Sequence, residues 1–279
     1  MFRERIEEHY ANLTPGFRRL ADFILNQTLD VAFLTATELS RRVGIDPATV
    51  VRFSQEIGYS GFRELSREIK AYVRGEIAQT YHKAVEAGNE EDLVQALFAS
   101  KAQDLEQFAT TEAPHLAQAL KMLQNAERIW IVGEFPSYDI ARYLAESLVP
   151  LGIPVFHFAP SMVEVAKATN DMQAGDVLLA LVFGTPGVDT GHAVKLANAK
   201  GIPTVCIADS GTTLAAREAE MAITTPGQSP LDIGSFAISL LIIATLKDAL
   251  LSSKKEATLA HAAEVQSGIE AARQEAPGN

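Results

Sequence analysis

The amino-acid sequence predicts an all-α N-terminal domain built on a helix-turn-helix, followed by an α/β domain with a parallel sheet. Three observations carry this. Over residues 1–74, apolar residues recur at helical spacing behind explicit helix-start signals. From residue 128 onward, short runs rich in Val, Ile and Phe alternate with helical segments. The length of 279 residues suits about two domains.

In the first part, Thr14-Pro15 is an N-cap followed by proline at the first helical position, and Phe17, Leu20, Ala21 and Ile24 follow at helical spacing. Thr35-Ala-Thr-Glu38 has the form of a capping box, so a second helix starts there. Its apolar face is Ala36, Leu39 and Val43, and Gly44 stops it. Asp46-Pro47 opens a third helix with Val50, Phe53 and Ile57 on one face and Gly58 at its end. Ser60 caps a fourth through Phe62, Leu65 and Ile69. Residues 75–125 are expected to form a helical connector, with Leu93, Leu97, Leu105 and Phe108 at helical spacing and a break at Gly88-Asn89.

The second part holds five short apolar runs, 128–132, 155–158, 177–183, 204–207 and 221–224, with helical segments at 137–150, 161–170, 189–200 and 212–218. Strands that are almost continuously apolar belong in a parallel sheet covered on both faces. Residues 231–251 read as a strongly apolar helix, either an interface element or a buried helix of the same chain, and 252–279 as a helical tail that frays. The expected domains are therefore 1–74, 75–125, 126–251 and 252–279.

Composition narrows the function. Hydrophobic content of 47% and charged content of 21% are ordinary for a globular protein. The single cysteine, Cys206, allows no internal disulfide and no cysteine-rich metal site, which suits a reducing compartment. The stretch MFRERIEEHY is charged and lacks the apolar core of a signal peptide, so a cytoplasmic location is expected. The longest apolar stretch, Ile233 to Leu246, is too short to span a membrane. The net charge of −11 is uneven: residues 1–74 hold 11 Lys+Arg against 10 Asp+Glu, and the remainder 13 against 25. The N-terminal cations are almost all arginine, the side chain suited to bidentate phosphate and guanine contacts. No His-x-x-x-His, Cys-x-x-Cys, Gly-x-Ser-x-Gly or phosphate-loop lysine pattern occurs, so no catalytic residue, metal or organic cofactor is implied. Of the histidines in the sheet region, His157 and His192, only His192 follows a loop of interest.

Two crossed helices need a small residue where they approach, a left-handed turn, and an apolar plug between them. Ser40, Gly44 and Val50 supply these at the required spacing. With Val50, Phe53 and Ile57 turned inward, Ala48, Thr49, Arg52 and Gln55 or Glu56 face outward at the part of such a motif that enters the major groove. Arg52 is expected to read a base edge, guanine first, and Thr49 to touch a phosphate or a thymine methyl. Arg41, Arg42 and Arg63 are candidate phosphate contacts, and Ser60 can offer a backbone N–H at a helix start. One short helix makes few base contacts, so a double-stranded operator read by a homodimer or homotetramer is expected.

In the sheet domain, ligands are expected at the carboxyl ends of strands. Two loops lie there, Gly133-Glu-Phe-Pro-Ser137 and Gly184-Thr-Pro-Gly187. Gly133, Glu134, Ser137, Gly184, Thr185 and Gly187 are the candidate effector-binding residues. Ser137 is expected to cap the following helix and donate to an anion there.

The stretches LTPGFRRLADFIL and ATELSRRVGIDPATVVRFSQEIGYSGFRELSREI resemble the N-terminal domain of RpiR-type (MurR/RpiR) transcriptional regulators. Asp46 departs from the serine usual there, and both residues are N-caps. The resemblance implies a SIS (sugar isomerase) partner domain: a five-stranded parallel sheet in a flavodoxin-like three-layer fold that binds phosphosugars. Residues 128–250 are similar in layout. Where that domain usually has Gly-x-Gly-x-Ser, this chain has Glu134 and Phe135 after Gly133. Where it has Ser-x-Ser-Gly-x-Thr, this chain has Val182 to Gly187. Most hydroxyls that would hold a phosphate are missing, so the expected effector is a small molecule other than a standard sugar phosphate; the other reading is a vestigial pocket in a domain that only dimerises. Alternatives from other classes are a phosphosugar isomerase-like enzyme with an accessory helical domain, and a ligand-independent scaffold.

Overall fold

The structure is a computed structural model and describes residues 1–86, 89–149, 152, 154–184, 187–225, 237–253, 259–261, 263–268 and 270. Two compact units are present, and residues 1–110 make up most of the first. Its helices are α1 (Phe2–Tyr10), α2 (Pro15–Asn26), α3 (Thr28–Phe33), α4 (Ala36–Val43), α5 (Pro47–Glu56) and α6 (Phe62–Glu86), followed by α7 (Glu90–Gln124). Phe2, Ile6, Leu20, Ile24, Leu39, Val50, Phe53, Ile57, Leu65 and Ile69 are fully buried in one core.

Local chemistry sets the helix ends. Thr35 and Glu38 close a reciprocal capping box: the Glu38 N–H donates to Thr35 Oγ1 at 3.3 Å, and the Thr35 N–H donates to Glu38 Oε2 at 2.8 Å. The hydrogen bonds from Thr35 hold the Glu38 carboxyl below its usual range. Gly44 takes the left-handed conformation with φ of 71°, which ends α4. Asp46 Oδ1 then accepts the Ala48 N–H at 2.7 Å to start α5. Ser40 is buried on α4, and α4 packs on α5.

Two features differ from the expected layout. The helix that starts at Phe62 runs without interruption past residue 74 to Glu86, and the compact units divide at Thr110 and Thr111, inside α7. Pro114 lies one turn beyond and has no N–H to give the Thr110 carbonyl, so the ladder is weakest there. Gly88 of the expected break lies outside the described residues, while Asn89 accepts the Asp92 N–H at 3.0 Å and caps α7. The short helices α1 and α3 add to the expected set.

The second unit is a parallel sheet of β1 (Arg128–Gly133), β2 (Val155–Phe158), β3 (Asp176–Val182), β4 (Thr204–Ala208) and β5 (Met221–Thr224), in the order β2-β1-β3-β4-β5. Helices α8 (Ser137–Ser147), α9 (Met162–Asp171), α10 (Val188–Ala199) and α11 (Leu214–Glu218) connect the strands, and α12 (Ala237–Ser253) packs on α8. The register places Gly133 beside Leu181 at the carboxyl end and Arg128 beside Asp176 at the amino end. One face buries Trp130, Val132, Leu178, Ala180, Val182 and Cys206 under α9 and α10. Residues 231–236 of the expected apolar helix lie outside the described residues. The rest buries Ile242, Ile243, Leu246 and Leu250 while Leu240 and Leu241 are exposed. Among the described residues, no helix is long and apolar enough to cross a membrane.

The chain turns one way from β1 to β2 and the other way to β3. The sheet therefore has its switch point between β1 and β3, where diverging connections leave a crevice at the carboxyl ends. The two loops singled out above leave the sheet on either side of that point.

Candidate functional site

On the helix-turn-helix, the inward face of α5 is Val50, Phe53 and Ser54. The opposite face carries Ala48, Arg52 and Gln55, all exposed, with Thr49 half-buried beside them. Arg52 Nη2 donates to Thr49 Oγ1 at 3.2 Å, one turn back along the helix. The residues expected to face outward are thus together on one surface. Val51, absent from the expected set, is 38% exposed on the same face and offers a methyl surface.

The other candidates divide. Arg41 and Arg63 are exposed. Arg42 is exposed but bridges to Asp30 at 3.3 Å. Ser60 does not present a free N–H: its N–H and hydroxyl both donate to Glu64 Oε2 at 2.7 Å. The expectation is corrected on this point, because a carboxylate already occupies the place a phosphate would take. The same bonds hold the Glu64 carboxyl below its usual range.

A feature the motif reading missed lies along α6. Arg63, Arg67, Lys70 and Arg74 recur at i, i+4, i+7 and i+11 and are all exposed, which makes one basic stripe. The acids interleaved with them are turned to other partners, Glu64 to Ser60 and Glu68 to the Tyr59 hydroxyl at 2.7 Å. Burial, and then the hydrogen bond to Glu68, pushes the Tyr59 phenol well above its ordinary pKa, so it stays a donor. The signal was available as helical spacing within REIKAYVR, but the residues lie beyond the motif.

In the sheet domain, the loops beside the switch point are tied together. Ser137 is fully buried; its Oγ accepts the Phe183 N–H at 2.9 Å. It does not cap α8, whose N-cap is Pro136 without a side-chain bond. The expected role of Ser137 as cap and anion donor is corrected: the hydroxyl is used to join one loop to the other. Gly133 is glycine for packing reasons, since a Cβ there would lie 3.0 Å from the Ser137 backbone and 3.1 Å from the Leu181 carbonyl. Gly187 has φ of 62°, and a Cβ would meet Val182 Cγ1 at 2.5 Å. Gly184 also has a positive φ, of 70°. Thr185 lies outside the described residues.

Glu134 is half-buried, and its Oε1 accepts the backbone N–H of Thr190 at 2.9 Å. Thr190 is fully buried in the first turn of α10. Phe135, 80% exposed, and Val188, 48% exposed, add apolar surface to the two loops. His192 is exposed and stands 3.9 Å from Asp189, while His157 neighbours Tyr138. Among the described residues, no three His, Cys, Asp or Glu side chains gather as a metal site.

Comparisons with known proteins find two family domains in the chain. Residues 1–100 match the helix-turn-helix domain of the rpiR family, and residues 122–251 match the SIS domain. Similar proteins include the bifunctional protein glk of Burkholderia thailandensis, 26% identical over 77% of this chain and 33% of that protein. An uncharacterized HTH-type transcriptional regulator of Caldanaerobacter subterraneus subsp. tengcongensis is 24% identical over 77% of each chain. Another, of Haemophilus influenzae, is 24% identical over 74% of this chain and 73% of that protein. The chain spans about a third of the length of the glk proteins it matches.

Among solved structures, the NanR protein of Vibrio vulnificus, complexed with ManNAc-6P, superposes with a TM-score of 0.56 at 24% identity, over 96% of this chain and 99% of that one. The sugar isomerase domain of the RpiR transcription factor from Sphaerobacter thermophilus gives 0.56 at 21% identity, over 62% and 98%. Both likenesses are of fold. This chain is an RpiR-type protein: a helix-turn-helix domain of the rpiR family followed by a SIS domain.

Proposed function

We propose that the protein is a sequence-specific transcription regulator that reads double-stranded DNA through α5 and takes a sugar-derived effector in the SIS domain. The observation that carries the reading is the outward face of α5, where Arg52 stands exposed among Ala48, Val51 and Gln55. A guanidinium in that position suits the O6 and N7 acceptors of guanine, and the methyl groups of Val51 and Ala48 suit thymine. Arg41, Arg63 and the remaining cations of the α6 stripe are assigned to phosphates, which set register and give salt dependence. Two copies of the chain give paired half-sites, and the exposed Leu240 and Leu241 of α12 are candidate contacts between them.

The effector is assigned to the crevice between the loops after β1 and β3. The topology supports this, since the crevice is at the switch point. The NanR structure was solved with an N-acetylated sugar phosphate, which supports a sugar derivative as the chemical class here. The HTH-type regulators of matching length support control of transcription rather than turnover as the task, and a cytoplasmic site of action.

Selection of bound duplexes from a random pool tests the reading. A reproducible enriched motif supports it, with binding that weakens as salt rises. Binding that is indifferent to sequence at every salt concentration contradicts it.

A further inference from the structure

The amino end of α10 lies beside the switch point and is already occupied by a negative charge. The first N–H groups of a helix have no partner within it, and with the helix dipole they form a seat for an anion. Thr190 is the third residue of α10, and its N–H donates to Glu134 at 2.9 Å. The anion in the seat thus belongs to the chain itself. Among the described residues, Glu134 forms no ion pair, and its second oxygen has no hydrogen bond.

A separate observation in the same turn points to a ligand. The Thr190 hydroxyl is buried and has no hydrogen-bond partner. A buried hydroxyl left unpaired is costly, and a native fold rarely keeps one without use. The site therefore combines a fixed carboxylate with a vacant acceptor, an unmet hydroxyl, and the apolar surfaces of Phe135 and Val188.

We propose that Glu134 sets the effector class: its carboxylate fills the anion seat of α10, so the site refuses a phosphate there and takes an uncharged, hydroxyl-rich ligand. A ligand hydroxyl donates to the second Glu134 oxygen, and another pairs with Thr190 Oγ1. The proposal rests on the assignment of an effector to this crevice, and it names the class that this chain admits. A phosphate brought to the same N–H would displace Glu134 and sit against its charge, a like-charge contact that is strongly unfavourable.

The test uses the full chain as wild type, Glu134→Gln and Glu134→Gly. Gln keeps an acceptor for the Thr190 N–H without the charge, and Gly vacates the seat. Each protein is titrated with inorganic phosphate and with glucose 6-phosphate, by calorimetry and by unfolding midpoint, against chloride at matched ionic strength. Both probes are expected to bind the variants at least about tenfold more tightly than the wild type, with Glu134→Gly the tighter binder. Gel filtration and far-UV circular dichroism report whether each variant is folded, and Glu134→Gln carries the test if Glu134→Gly is not.

Wild type binding the probes as tightly as the variants overturns the proposal. So does no binding by any of the three, because Glu134 is then not what keeps the anion out. The underlying effector assignment fails differently. In that case a panel of uncharged sugars and polyols leaves the wild-type midpoint and DNA affinity unchanged, even while the variants gain phosphate binding.

Discussion

Arg52 Nη2 lies 3.2 Å from the hydroxyl of Thr49, so the guanidinium is steadied by the turn of α5 that precedes it. An exposed arginine otherwise loses much side-chain freedom when it docks on a base. Thr49→Val removes the donor's partner while keeping shape. It is expected to weaken binding to the selected sequence by roughly fivefold, about 1 kcal/mol, with little change in stability. A titration of the variant against that duplex checks this, and equal affinity would show that the contact has no part in presentation.

The stripe of Arg67, Lys70 and Arg74 on α6 offers charge without shape. Replacing all three with glutamine is expected to lower the slope of log affinity against log salt by about 0.9 for each side chain that meets a phosphate. Sequence preference should be unchanged, since phosphate contacts position the protein and do not select bases. A salt slope identical to the wild type would place the stripe away from DNA.

Asp176 anchors the amino end of the sheet. Arg128 donates to its two oxygens from Nε and Nη2 at 2.7 Å, Trp130 Nε1 donates at 2.9 Å, and the Gln173 N–H at 2.9 Å. Burial alone would raise the carboxyl pKa, but these donors outweigh it and the net displacement is downward. A depressed folded-state pKa contributes stability that is fully present above the unfolded value, near 4, and is lost as pH falls through the folded value. Asp176→Asn is expected to cost about 1–3 kcal/mol near neutral pH, because an amide offers one acceptor oxygen where the buried carboxylate takes four donor bonds. The gap from wild type should narrow as pH falls below about 4. Denaturant unfolding across that range is the check, and a gap independent of pH would contradict the assignment.

Two glycine substitutions should move stability in opposite directions. Gly75 stands in the middle of α6 with nothing within 4 Å of a new Cβ, so Gly75→Ala should stabilise by up to about 1 kcal/mol through helix propensity. Gly191 is also helical, but a Cβ there would meet Leu214 Cγ at 2.5 Å. Gly191→Ala is expected to destabilise by about 1–3 kcal/mol, since overpacking outweighs propensity. Thermal unfolding of the two variants decides it, and a stabilised Gly191→Ala would show that Leu214 moves freely.

These contrasts show what was legible in the sequence. The caps at Thr14, Thr35 and Asp46 and the stop at Gly44 each act over two to four residues, so they are visible in order along the chain. The strands announce themselves because a sheet covered on both faces needs apolar residues at nearly every position. The site was legible only where it is local, as on the face of α5. Glu134 and Thr190 are 56 residues apart, and Ser137 and Phe183 are 46 apart. Each pair meets only because parallel pairing of β1 with β3 brings the two loops side by side. No spacing rule reports that Ser137 bonds to a backbone rather than to a helix start. The expected boundary at residue 74 falls inside α6, just past Tyr72 and Val73, which pack on the first core, and the helix then runs on into the stretch read as a helical connector.

The most direct test of the account is the affinity of Arg52→Ala for a duplex selected by the wild-type protein, alongside duplexes with each base pair changed in turn. The variant should unfold at the wild-type temperature, because Arg52 is exposed. It should bind the selected duplex more weakly by about 1–3 kcal/mol for each half-site, with discrimination lost at one base pair. An Arg52→Ala protein that keeps both the affinity and the full preference would mean that α5 does not read the groove.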